Sequence, residues 1–463
     1  MSNDLQDKLD ELGRELEVPG VAAGVHADGQ DFYAFHGVTS VENPLPVDEH
    51  TLFQFGSTGK TYTATAVLRL VQDGRVDLHA PVRTYVPELR LKDAGVAERV
   101  TVAQLFNHTA GWQGDLIEDT GNGDDALARY VERMATIEQI SPPGATVSYN
   151  NASLSLAGRL LEKVTGATYE KAMRDLVLAP LGLNDTWFFP ADVMTRRFAV
   201  GHTRHEDGRV TVGRPWALPR SAHPAGGMSA TAADQIAWAR FHLGDGTAPD
   251  GTRVLSQEML RRMQEPTADM RGSALGDYVG IAWLLRDVAG ERVVRHGGTT
   301  NGQHSDFMMV PARSFAVISM ANCGPNGSQL NTLLTTWALE HYLGLREDEP
   351  EPLVLGDDTL FAYAGRYETI ASVVAITAEG GRLMARIELK PEMSAALREA
   401  GDEPDDQPPL PLALVAGEGD PFIVAEGPAK GMRGYFSRAA GDGHIDGVHL
   451  GGRLAERIAS ATP

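Results

Sequence analysis

The 463-residue sequence predicts an α+β fold, and three observations predict it. Strand-like runs rich in Val, Ala, Phe and Met stand at Val21 to Gly37 and again at Phe307 to Asn322. Long segments with apolar residues at helical spacing lie between them. After residue 350 the chain breaks into short runs separated by Gly and acidic turns, the pattern of a small antiparallel β domain. Strands at both ends of a helical middle imply one sheet closed by the two termini of that unit.

The elements follow in order. Met1 to Pro19 is an acidic, amphipathic helix pattern with no basic segment followed by an apolar run, so no secretory signal is expected. Thr61 to Asp73 repeats apolar residues at Ala64, Val67, Leu68 and Val71 and stops near Gly74. This is a buried helix placed directly after Gly56-Ser57-Thr58-Gly59-Lys60. A further helix is predicted from Leu154 to Val164, with Gly166 as its C-terminal cap. The helix at Leu330 to Leu345 precedes the run REDEPEPLVLGDD, whose charge and prolines mark a linker and divide the chain into residues 1–350 and 351–463. In the second part Ser372 to Thr377, Arg382 to Leu389, Phe422 to Ala425 and Gly431 to Arg438 read as strands. Glu399 to Pro409 has the composition of a disordered loop.

Bulk chemistry narrows the function. A hydrophobic content of 42% and a charged content of 22% describe a soluble globular protein. The net charge of -21 argues against nucleic acid, which binds through Lys and Arg clusters that release counterions. It disfavours an anionic membrane in the same way. No run approaches the roughly 18 to 20 apolar residues that span a bilayer. The single cysteine, Cys323, cannot build an internal disulfide and fits a reducing, cytoplasmic compartment. It sits at the end of an apolar strand without a basic neighbour, the setting of an inert thiol.

Chemistry concentrates at Ser57-Thr58-Gly59-Lys60. Three-residue spacing at a helix start sets both side chains on one face about one turn apart, so the amine can stand beside the hydroxyl. A buried Lys can lose its proton near neutral pH and accept one from Ser, and the free amides of the helix start favour developing negative charge. Ser-x-x-Lys alone recurs by chance, so the remaining motifs matter. Tyr149-Asn150-Asn151 follows the turn Ser141-Pro142-Pro143-Gly144, and Arg295-His296-Gly297-Gly298-Thr299-Thr300 comes much later.

Together with Leu105-Phe106-Asn107-His108-Thr109-Ala110-Gly111, Pro180-Leu181-Gly182-Leu183-Asn184-Asp185-Thr186 and Pro224-Ala225-Gly226-Gly227-Met228-Ser229, these segments resemble the penicillin-binding protein and serine β-lactamase superfamily, nearest its class C and esterase-like branch, over about residues 15 to 345. The resemblance implies an antiparallel sheet flanked by helices, an all-helical lobe with the site between, and a C-terminal lipocalin-like barrel. It implies that Ser57 is the acylated nucleophile, that Lys60 deprotonates or positions it, and that Tyr149 is a phenolate-like base and leaving-group acid. Asn151 would donate to a substrate amide or to Lys60, and the amides of Ser57 and Thr299 would form the oxyanion hole. Gly297 and Gly298 would let the substrate backbone approach closely.

His296 stands where antibiotic-active relatives carry Lys, which removes a permanent cation for a β-lactam carboxylate. The loop Arg214-Pro215-Trp216-Ala217-Leu218-Pro219 suggests that Trp216 lines the pocket and favours aromatic acyl groups. His108 is expected to close a structural turn. Arg433 and Arg453 read as surface arginines, with a bidentate hold on a substrate carboxylate as the alternative. His202, His205 and His304 lack metal-ligand spacing, so neither metal nor cofactor is expected. The resulting expectation is a serine acyl-hydrolase, an esterase or a D-stereospecific peptidase or amidase, acting on a small ester or peptide. The alternative is a stand-alone thioesterase of the penicillin-binding-protein type that releases and macrocyclises a nonribosomal peptide delivered by a peptidyl carrier protein. A third reading is a non-catalytic binding or sensor protein.

Overall fold

The computed structural model describes residues 2–116, 118–399, 408–427, 429–439, 441 and 443–458. The loop expected at 399 to 409 falls largely outside them. Among the described residues, eight strands form one antiparallel sheet: β1 (Gly20–Ala27), β2 (Gln30–Gly37), β3 (Ala268–Ser273), β4 (Gly276–Val279), β5 (Leu284–Val288), β6 (Glu291–Thr299), β7 (His304–Val310) and β8 (Phe315–Ala321). Their order is β2-β1-β8-β7-β6-β5-β4-β3, so strands from the two ends of this unit pair at β1 and β8.

Both faces of the sheet are covered, which is why β1 is buried along its whole length. Val21, Ala23 and Val25 face a core completed by Leu5, Leu9 and Leu12 of α1 (Ser2–Glu15). Leu330, Leu334 and Ala338 of the C-terminal helix (Asn326–Leu343) close the same core. On the opposite face lie α2 (Gly59–Gln72), α3 (Ala152–Thr165) and α4 (Ala232–Leu243), within the larger core and its helical lobe. Gly24 lets α4 sit close, because a Cβ there would lie 2.7 Å from Ile236 Cγ1. Helix α3 ends at Gly166 in the left-handed conformation, as its sequence indicates. Helix α2 is buried from Gly59 through Leu68, which takes Lys60 out of water.

Eight further strands close a barrel: β9 (Gly365–Glu368), β10 (Ser372–Glu379), β11 (Arg382–Leu389), β12 (Leu410–Leu414), β13 (Pro421–Val424), β14 (Arg433–Arg438), β15 (Ile445–Leu450) and β16 (Arg453–Ile458). Alternate residues such as Tyr367, Leu383, Phe422, Phe436 and Val448 fill it. The two-residue turn between β15 and β16 is Gly451-Gly452, with φ of 59° and 81°. Two successive positive φ angles suit a tight hairpin and suit glycine. This hairpin reaches the first unit, where Gly452 O accepts the backbone N–H of Tyr149 at 2.9 Å.

Candidate active site

Ser57 lies in a single 3-10 turn, Gly56–Thr58, that runs into α2. Lys60 Nζ stands 2.9 Å from Ser57 Oγ and donates to Ala225 O at 2.7 Å. Burial holds its ammonium well below the ordinary lysine range, the Arg453 guanidinium pushes the same way, and Asp115 opposes both. With its charged form disfavoured, Lys60 can take up the Ser57 proton one helical turn along.

Tyr149 lines the same cavity as Ser57. The Lys60 ammonium lies 4.9 Å from its ring centroid. Burial pushes the phenol above its ordinary value, and the Ser57 hydroxyl and the charge of Arg453 only partly offset this. Burial thus disfavours both charged forms, the ammonium of Lys60 and the phenolate of Tyr149.

Opposite Ser57 runs β6. Its pairing with β5 stops at Leu284↔Arg295, whereas its pairing with β7 continues to Thr299↔His304. The stretch from His296 to Thr299 thus turns one edge toward a cavity of about 360 Å³ that is also lined by Ser57, Tyr149 and Asn151. Backbones converge here as glycine alone allows. A Cβ on Gly56, which has a φ of 56°, would lie 2.7 Å from Thr299 N, and one on Gly298 would lie 2.7 Å from Ser57 N. Thr58 Oγ1 donates to His296 O at 3.0 Å, and Ser305 Oγ donates to Phe55 O at 2.7 Å, tying the Ser57 turn to β6 and β7. The amides of Ser57 and Thr299 can serve together as oxyanion donors.

His296 is buried and its Nδ1 donates to Gly297 O at 2.6 Å. Burial lowers its imidazole to about 3, so it is neutral at physiological pH. Two guanidiniums also line the cavity, and each is paired. Arg295 bonds Asp306, and Arg453 bonds both oxygens of Asp115.

Two sequence expectations need correction, those for Trp216 and Arg453. Asn151 lines the cavity and its Nδ2 donates to Asp115 Oδ1 at 2.8 Å, while Lys60 is held by Ser57 and Ala225. A carboxylate is a stronger acceptor than a neutral amine, and Asp115 is within reach. Trp216 lies apart from the cavity wall. Its indole donates to Ala199 O at 2.9 Å and packs edge-on against Phe198 at 5.7 Å, which satisfies both the N–H and the ring there. Arg453 is a cleft residue rather than a surface one, whereas Arg433 pairs with Glu347 at 2.7 Å outside the cleft. Asp115 escaped sequence reading altogether, since its partner is 338 residues away.

A family model described as Beta-lactamase matches residues 5–340. The chain belongs to the β-lactamase family. Family membership makes it a serine hydrolase that acts on small substrates. Penicillin-binding protein 4 of Amycolatopsis lactamdurans is 37% identical over 69% of this chain and 84% of its own length. A β-lactamase of Yersinia enterocolitica is 28% identical over 62% of this chain and 68% of its own. Among solved structures, SurE superposes over 99% of both chains with a TM-score of 0.78 at 25% identity, barrel included, and it has also been solved with D-Leu. An octameric penicillin-binding protein homologue from Pyrococcus abyssi shares the fold over 98% of this chain and 99% of its own, with a TM-score of 0.63 at 21% identity. No helix among the described residues is long and apolar enough to cross a membrane.

Proposed function

We propose that this β-lactamase-family chain is an acyl-enzyme hydrolase of small esters or of peptides bearing D-residues. Ser57 Oγ attacks the carbonyl carbon and its proton passes to Lys60 Nζ. The oxyanion is received by the amides of Ser57 and Thr299. As the carbonyl carbon–leaving atom bond breaks, Tyr149 gives its phenolic proton to the leaving group, and the proton taken up by Lys60 passes to the Tyr149 oxygen. Water then repeats the sequence in reverse and frees Ser57. The division of the chain near residue 350 is part of the same proposal, supported by a family match that ends at residue 340 and a barrel that begins at Gly365.

The observation that carries the substrate class is the neutral His296 on β6, with both nearby guanidiniums already matched by carboxylates. Among the described residues no unmatched cation then stands on that wall for a β-lactam carboxylate, which favours substrates with an uncharged leaving side. A panel of p-nitrophenyl esters, D- and L-aminoacyl amides and cephalosporins tests this by kcat/KM. Turnover led by esters or D-amides is expected, and a preference for cephalosporins would refute it.

A second reading, transfer of the same acyl group to an amine as in release of a macrocyclic peptide, is favoured by the burial of the groups beside Ser57. Lys60 is fully buried and Tyr149 is 8% exposed. Added D-amino-acid amines that divert the acyl group from water in proportion to their concentration would support transfer. Unchanged hydrolysis would support water as the acceptor.

A further inference from the structure

Tyr149 sits on a segment, residues 146–150, that is neither helix nor strand. Something other than secondary structure must therefore hold its phenol over Ser57. Three successive backbone amides of this segment are each engaged. Ser148 N–H donates to His108 O at 2.9 Å, Tyr149 N–H to Gly452 O at 2.9 Å, and Asn150 N–H to His108 Nδ1 at 3.2 Å. The His108 ring also packs against the Tyr149 ring, with centroids 4.6 Å apart and planes at 39°.

We propose that His108 is a positioning residue for acylation, gripping the amides on both sides of Tyr149 and backing its ring so that the phenol meets Ser57. The inference rests on the acyl-enzyme reading above. The grip requires one protonation state. Because Nδ1 accepts from Asn150, the ring proton resides on Nε2, and an imidazolium would have no lone pair to offer. Burial provides for this, since His108 is 1% exposed and burial holds its imidazole well below its ordinary value. The grip also requires an unusual backbone. His108 has a φ of 60°, the left-handed region, in which Asn is the side chain most easily substituted for His. In His108→Asn the introduced amide oxygen would offer an acceptor to the Asn150 N–H; His108→Ala offers none and is strained at that φ.

The test compares wild type with His108→Ala, His108→Asn and Ser57→Ala, using burst kinetics on a p-nitrophenyl ester, fluorophosphonate labelling and thermal melting. His108→Ala should lower kcat about 10²-fold, the scale expected when a reacting group shifts by about an ångström. KM should stay near wild type, because the grip acts on the phenol rather than on ground-state contacts. His108→Asn should recover most of kcat. A His108→Ala variant with wild-type kcat, or a His108→Asn variant as slow as His108→Ala, would overturn the proposal. If His108→Ala fails to fold, the 15N shifts of His108 in the wild-type protein decide. A protonated Nε2 with an accepting Nδ1 supports the grip, and the reverse tautomer overturns it. Labelling that persists in Ser57→Ala would sink the acyl-enzyme reading itself, a failure distinct from any result at residue 108.

Discussion

Replacing Arg453 by Ala should move the rising limb of the acylation pH profile upward. The guanidinium carbon and Lys60 Nζ lie 5.2 and 4.9 Å from the same Tyr149 ring centroid. They are therefore at most about 10 Å apart, where two unit charges repel by about 1.7 kcal/mol at an effective dielectric of 20. The Arg453 side chain is 38% exposed, and water screening reduces this to about 1 kcal/mol. The sign is fixed by chemistry. Arg453 disfavours a proton on Lys60 and Asp115 favours one, so Arg453→Ala removes the first influence and leaves the second unopposed. Lys60 then keeps its proton to higher pH, and the limb should rise by up to about one pH unit, with 1.4 kcal/mol equal to one unit. Stopped-flow acylation with a p-nitrophenyl ester between pH 5 and 10 measures it. A limb that stays in place or moves to lower pH would refute the view that the barrel tunes the lysine.

Other expectations concern different parts of the molecule. Gly298→Ala places a Cβ 2.0 Å from Phe55 O and 2.7 Å from Ser57 N, so the oxyanion amides must separate. A loss of about 10²-fold in kcat is expected by burst analysis, and near wild-type kcat would contradict it. Glu170 carries a test of stability against pH. Burial alone would raise its carboxyl, but His223 and Arg220 hold it at about 2. Its folded value lies below the ordinary 4.5, so its stabilisation is complete above that pH and is lost as pH falls toward 2, by roughly 3 kcal/mol. Urea midpoints should fall more steeply over that window in wild type than in Glu170→Gln, and parallel curves would refute the assignment. Phe436 is fully buried against Tyr363 and Phe422; Phe436→Ala should cost about 3–5 kcal/mol in denaturant unfolding. Since the barrel supplies Arg453 and Gly452 O, activity should decline along with that transition.

What the sequence revealed follows the range of each interaction. Ser57 and Lys60 were legible because their geometry is one helical turn of local chain. Helix α3 and its Gly166 cap were legible for the same reason. The strands β1, β7 and β8 showed as apolar runs because both faces of the sheet are covered there. The barrel was legible only in part. β10, β11, β13 and β14 showed as strand-like runs, but β12 contains Pro411, and β15 and β16 interleave Asp446, Gly447, Glu456 and Arg457 with their inward residues. A small barrel needs apolar side chains at alternate positions only, which weakens the signal of each short strand. The pairing of Arg453 with Asp115 was invisible, since nothing local links residues 338 apart. Trp216 was misplaced because a loop pattern does not say which side its ring packs on. The shifts of Tyr149 and Lys60 were not legible, because burial, which only the fold reveals, pushes phenol and amine in opposite directions.

The central claim is that a hydroxyl beside an uncharged lysine becomes covalently acylated, and intact-protein mass spectrometry of enzyme quenched during turnover tests it most directly. The account predicts a transient mass increase equal to the acyl group, located on the peptide containing Ser57 and missing from Ser57→Ala. Substrate turnover without that adduct, or an adduct that survives in Ser57→Ala, would contradict it.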